Sequence, residues 1–144
     1  MSKSFTILLT LLLCLFAAAA QDSQAPPNAA PSAAYTIPAE AARQVNPVKA
    51  TPESIAQGKK YYGYDCAMCH GDNGNGKGEV AIAEKLTLTD FSDPATLRNK
   101  TDGELFYIIK NGKDHMPPEG DRLKPPDLWS LVNYIRSLSN KKAQ

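Results

Sequence analysis

An excess of charge of one sign is missing from this sequence. Its 144 residues carry 16 Lys and Arg against 15 Asp and Glu. No basic patch or stripe stands out, which excludes the electrostatic footprint of a nucleic-acid binder. Cysteine and histidine are scarce, at three and two residues, too few for a disulfide framework. No convincing strand pattern and no internal repeat occur, so the βαβ setting of a thioredoxin-like motif is also absent. The one long apolar run, from Phe5 to Ala20, falls short of the roughly 20 residues that a membrane span needs.

That run has the build of a secretory signal peptide over residues 1–20. Lys3 precedes the apolar stretch, and Ala18-Ala19-Ala20 closes it before Gln21. Cys14 then belongs to the signal core and is lost on cleavage. The expectation is an exported, periplasmic protein, tethered to the membrane only if the N-terminal segment is retained. The mature chain would hold 15 basic and 15 acidic residues. Residues 21–50, rich in Ala, Pro and Gln, show no sustained apolar period. They read as a disordered leader or linker, because they bury too little to offset the entropy of ordering. The compact domain is expected over 51–144.

Three main helices with long loops are predicted there, an all-α domain. Thr51 can cap the first, with Pro52 at its first position and Glu53 at the positive end of the dipole. Ile55, Gly58, Tyr62, Cys66 and Cys69 then recur at spacings of three and four. Gly58 costs a helix about 1 kcal/mol relative to Ala, which suggests a backbone packed closely against it. Thr101 and Glu104 make a capping box for the second helix, with Leu105, Phe106, Ile108 and Ile109 as its apolar face and Asn111-Gly112 as its end. The third runs from about Pro126 to Leu138. Short turns of helix are predicted near 79–85 and 93–98. This domain is lean in apolar bulk for its loops, and a large apolar cofactor would supply what is missing.

"YYGYDCAMCHGDNGNGKG", residues 61–78, points to that cofactor. Once Cys14 is gone, only Cys66 and Cys69 remain. A bridge between them would close so small a loop that it would stabilise little. Followed directly by His70, they form C-x-x-C-H, the attachment signature of haem c. Two thiols add to vinyl groups on adjacent edges of one porphyrin, and two intervening residues set that reach. Cys66 and Cys69 are thus expected to carry the thioethers of one covalent haem, with His70 the proximal iron ligand. Gly71, Gly74, Gly76 and Gly78 let the chain turn closely around it. A zinc site would need His115 beside Cys66, Cys69 and His70, in a spacing that fits no common zinc pattern. For the distal position Met68 lies between the cysteines and cannot reach the far face. Met116, in a loop stiffened by Pro117-Pro118, and His115 beside it are the remaining contenders.

Over about residues 51–139 the chain resembles the class I, monohaem c-type cytochromes of bacteria. "GKKYYGYDCAMCHG" is similar to their N-terminal helix and haem motif, "DGELFYIIKNGKDHMPP" to the segment through the distal ligand, and "LWSLVNYIRSL" to the C-terminal helix. The resemblance implies a small cytochrome c-like domain wrapped around one haem. It favours Met116, directly before proline, as distal iron ligand, with His115 exposed near the haem edge. It also sets Gly58 and Tyr62 against Leu131 and Tyr134 where the terminal helices cross. Relatives often use a proline carbonyl after the glycine run to orient the histidine; here Glu79 and Val80 stand there, and Arg98 is a candidate for a propionate. The expected function is one-electron transfer without catalysis, to redox partners such as a dehydrogenase, reductase or terminal oxidase. A haem-based sensor or catalytic domain, and a dedicated subunit of an exported oxidoreductase, are the alternatives. Lys110, Lys113, Arg122 and Lys124 flank the distal loop, mixed with Asp114, Glu119 and Asp121 as a solvated surface able to steer an acidic partner.

Overall fold

The computed structural model describes residues 35–140. The expected signal peptide, residues 21–34 of the expected leader, and residues 141–144 lie outside that range.

The first long helix follows its sequence signals. Helix α2 (Pro52–Tyr61) starts where Thr51 and Ser54 cap each other reciprocally, with proline in the first turn. It runs on through a π-helical turn (Tyr62–Cys66) into helix α3 (Ala67–His70). That turn holds one more residue than an α-helical turn, a register change that spacings of three and four do not reveal. The glycine-rich loop leads to the short helices α4 (Glu79–Ala83) and α5 (Pro94–Leu97). Helix α6 (Asp102–Asn111) carries the predicted Thr101–Glu104 capping box and ends at Gly112, φ +75°. Helix α7 (Pro125–Asn140) closes the domain. Among the described residues there is no strand, only an isolated antiparallel bridge between Lys113 and Met116.

The expected crossing of the terminal helices is present. A Cβ built on Gly58 would lie 2.0 Å from the Ser130 carbonyl oxygen and 2.8 Å from the Tyr134 Cβ. Tyr62 meets Tyr134 edge to face, with ring centroids 5.0 Å apart. Ser130, one residue before the expected Leu131, is thus the closest neighbour of Gly58. The core continues along α7 through Leu128, Trp129, Leu131, Val132, Ile135 and Leu138. Phe106 of α6 stacks on Trp129 at 4.1 Å. Arg136 ties α7 to the entry of α6 through Asp102 (2.9 Å) and the carbonyls of Leu97 and Lys100.

Residues 35–50 correct the expectation of a disordered leader. They form a strap on the domain, with a helical turn, α1 (Ala39–Ala42), against α6. Sparse apolar content hid this, because the strap is held largely through polar and backbone contacts. The Thr101 hydroxyl donates to the Ala42 carbonyl at 2.7 Å. Asn46 donates to the Trp129 carbonyl at 3.2 Å and to Asn133 Oδ1 at 2.8 Å. Gly103 permits the approach, since a Cβ there would sit 2.1 Å from the Ala41 carbonyl oxygen.

Candidate haem site

The π-helical turn and α3 bring Cys66, Cys69 and His70 to the wall of a cleft of about 660 Å³, within the range of cofactor sites. Met116 lines the same cleft from the loop after α6. An apolar pocket of about 40 Å³ shares Cys66, His70, Phe91, Leu105 and Met116 with this cleft and is walled further by Tyr62, Ile109, Leu131 and Ile135. The sequence therefore brings together all four of its expected haem-binding residues, from two segments 46 positions apart at His70 and Met116.

Local geometry explains their presentation. Tyr62, buried, donates its hydroxyl to the Gly71 carbonyl at 2.8 Å and so braces the turn just after His70. The loop then folds back on the motif. Gly78 has ordinary φ, but a Cβ there would lie 2.3 Å from the Met68 carbonyl oxygen, so close approach is its reason. Gly74 does require positive φ (+77°) and also meets Leu138. The His70 ring stacks on Phe91, centroids 4.9 Å apart. Its Nδ1 is buried without a hydrogen-bond partner, so neither the Glu79 nor the Val80 carbonyl serves as the expected acceptor. Burial lowers its pKa below the ordinary 6.5, which keeps the imidazole neutral, the form that binds metal.

The thiols suit attachment better than other cysteine chemistry. Cys66 and Cys69 are both unbridged. Burial, reinforced by the carboxylates of Glu119 and Asp65, pushes the Cys66 thiol up to about 12, so it is no ready thiolate nucleophile. Among the described residues no three His, Cys, Asp or Glu side chains cluster to hold a metal ion. A cleft with an apolar wall, two unbridged cysteines and a buried imidazole with an orphaned nitrogen fits a covalently bound porphyrin.

The distal loop presents the two neighbouring contenders differently, although both line the cleft. Lys113 and Met116 exchange backbone hydrogen bonds of 2.8 and 3.0 Å around a two-residue turn. Asp114 takes φ +52° at its tip. His115 is exposed on that tip, whereas Met116 packs against the core. The Glu119 and Gly120 amides donate to the Ile109 and Lys110 carbonyls at 3.0 and 2.9 Å, which docks the far end of the loop on the terminus of α6.

Two expectations on charge need correction. Glu119 is no surface residue: it is 3% exposed and lines the cleft. Its Oε2 lacks a hydrogen bond, and burial raises its pKa. Arg122 is not free to steer a partner, since it holds Asp65 at 2.6 Å and Glu119 at 3.4 Å. Composition offered no signal for either, because the pairing partner Asp65 lies 57 positions away. Arg98 does not line the cleft; Lys85, Lys100 and Lys113 are the cations that do.

Comparison with known proteins agrees with this geometry. Residues 53–135 match the family described as cytochrome c oxidase, cbb3-type, subunit III. Cytochrome c6 of Pyropia tenera is 34% identical over 87 residues, which cover 60% of this chain and 95% of the relative. The cbb3-type cytochrome c oxidase subunit FixP of a Bradyrhizobium species is 33% identical over 88 residues, 60% of this chain but 28% of FixP. Among solved structures, the KustC0563 c-type cytochrome aligns with a TM-score of 0.51 at 28% identity, covering 56% of this chain and 95% of that one. The Kuenenia stuttgartiensis reducing HAO-like protein complex Kustc0457/Kustc0458 aligns with a TM-score of 0.55 at 26% identity, covering 64% of this chain and 46% of that one. With its thiols, imidazole and apolar cleft gathered in one all-α domain, this chain belongs to the monohaem c-type cytochromes, electron-transfer proteins that carry a covalently bound haem c.

Proposed function

We propose that this protein is an exported, periplasmic one-electron carrier. Its haem is anchored by Cys66 and Cys69 and its iron held by His70 and Met116. Cys66, His70 and Met116 lining one apolar cleft is the observation that carries the reading. The bound haem supplies a metal centre that changes oxidation state by one electron. The chain's own residues fix its surroundings: Phe91 and Tyr62 brace the His70 side, and the Lys113–Met116 turn presents the thioether. His70 and Met116 together would hold the iron and leave no site for substrate or O₂, and a thioether ligand would favour a higher potential than a second imidazole. Export is supported by the composition of residues 1–20, with the compact domain over 51–144 preceded by its strap.

The Met116→Ala and His115→Ala variants of the haem-loaded protein test the ligand set. Met116→Ala should admit carbon monoxide to the reduced protein and lower the potential, while His115→Ala should leave the low-spin spectrum unchanged. The reverse pattern would make the protein a bis-histidine carrier, and ready binding of carbon monoxide by the parent would favour the sensor or catalytic reading. A second reading, a dedicated subunit of an oxidoreductase, is supported by the similarity to FixP, named as an oxidase subunit, and to part of the reducing HAO-like complex, named as a protein complex. Copurification of a stoichiometric partner from native extract would favour it; recovery of the chain alone would favour a free carrier.

A further inference from the structure

The strap ends at the distal loop. Tyr35 donates its hydroxyl to the carbonyl of Gly112, the residue that opens that loop, at 3.0 Å across 77 positions. The Lys113 ammonium lies over the Tyr35 ring, 5.5 Å from its centroid. Tyr107 of α6 meets the same ring edge-on at 6.4 Å. Tyr35 and Ile37 line the cleft beside Asp114, His115, Met116 and Pro117. The rest of the strap is fixed independently, by Thr101 on Ala42 and by Asn46 on α7. It precedes the segment that matches the family, residues 53–135.

We infer that Tyr35 is a positioning residue, through which the strap clamps the Met116 loop closed and keeps outside ligands from the iron. The inference rests on Met116 being the distal ligand. The physical argument is one of populations. The loop's far end is docked on α6 through the Glu119 and Gly120 amides. Its near end turns at Gly112, whose positive φ of +75° gives no rigidity of its own. Tyr35 holds that near end by one hydrogen bond to Gly112 and the ring contact with Lys113, and is itself seated on α6 by Tyr107. Burial, with Tyr107 and Asp114 nearby, raises its pKa above the ordinary 10.0, so the phenol remains a donor well past neutral pH.

An outside ligand such as imidazole binds only when the loop opens, so its apparent affinity scales with the open fraction. Losing one neutral hydrogen bond changes such an equilibrium about fivefold. Removing the ring contacts as well should bring the change to several tens of fold. The test titrates imidazole into the oxidised, haem-loaded full chain and carbon monoxide into the reduced one. Tyr35→Phe should bind imidazole about fivefold tighter than the parent, and Tyr35→Ala tighter again. Leu128→Val destabilises the core away from the cleft. It should lower the melting temperature with imidazole affinity unchanged, which separates positioning from general stability. Met116→Ala should bind imidazole tightly whether or not Tyr35 is present. If Met116→Ala opens the site while both Tyr35 variants bind as the parent does, the clamp is overturned and the ligand assignment stands. If Met116→Ala leaves imidazole excluded, the ligand assignment fails and the clamp fails with it.

Discussion

Replacing Gly58 with Ala should damage the helix crossing that frames the haem cleft. Judged on helix propensity alone the change is favourable, by about 1 kcal/mol. The packing says otherwise. The new methyl would start 2.0 Å from the Ser130 carbonyl oxygen and 2.6 Å from its carbon, where ordinary contact begins at 3.4 Å. Both obstacles are backbone atoms of a 16-residue helix, so no side-chain rotation relieves them. The helices must part by more than about 1 Å, forfeiting much of the dispersion energy of the contacts around the crossing. Overpacking of this kind costs about 3 kcal/mol at the upper end of its range. Net of propensity, the loss is about 2 kcal/mol, or roughly 8–16 °C in melting temperature for a domain of about 100 residues. Gly63→Ala is the matched control: it lies in the same continuous helical segment with nothing within 4 Å of its built Cβ. It should be neutral or stabilise by up to about 1 kcal/mol. Thermal melts of both variants, followed by helical circular dichroism and haem absorbance, read the difference. A Gly58→Ala melt equal to or above that of Gly63→Ala would refute the close-crossing argument.

Tyr62→Phe removes the buried donor of the Gly71 carbonyl. It should cost about 1–2 kcal/mol in denaturant unfolding, and an unchanged midpoint would show that this bond does not brace the His70 turn. Glu119, whose pKa burial raises from 4.5, holds its proton more tightly folded than unfolded. Its contribution is therefore most favourable at low pH and declines as pH rises from about 4.5 through its folded value. Denaturant midpoints of parent and Glu119→Gln across that range should diverge, with the variant gaining on the parent as pH rises; parallel profiles would show that Glu119 does not titrate under strain.

Much of this arrangement was legible from local chemistry. The Thr101–Glu104 box, the Thr51-Pro52 start and the Asn111-Gly112 stop depend on residues within one turn of each other, and the structure has all three. Gly58 announced a close neighbour because a helix has no other use for it. The C-x-x-C-H spacing carries its chemistry in five consecutive residues. What stayed hidden depends on distant partners or on backbone. The strap's composition looks disordered because Ala41 and Gln44 present backbone to Gly103, and because Asn46 and Tyr35 act through single hydrogen bonds to distant residues. The π-helical turn shifts register by one residue without any residue type that signals it. Glu119 reads as surface until Arg122 and Asp65 are seen to gather beside it.

The most direct measurement is a peptide map of the protein after expression with periplasmic haem attachment. Trypsin should release residues 61–77, between Lys60 and Lys77, which hold Cys66, Cys69 and His70. The account predicts that this peptide carries one haem resistant to acid-acetone extraction, with both cysteines blocked to alkylation. A haem that extracts freely, leaving the same peptide with free thiols or a Cys66–Cys69 disulfide, would contradict it.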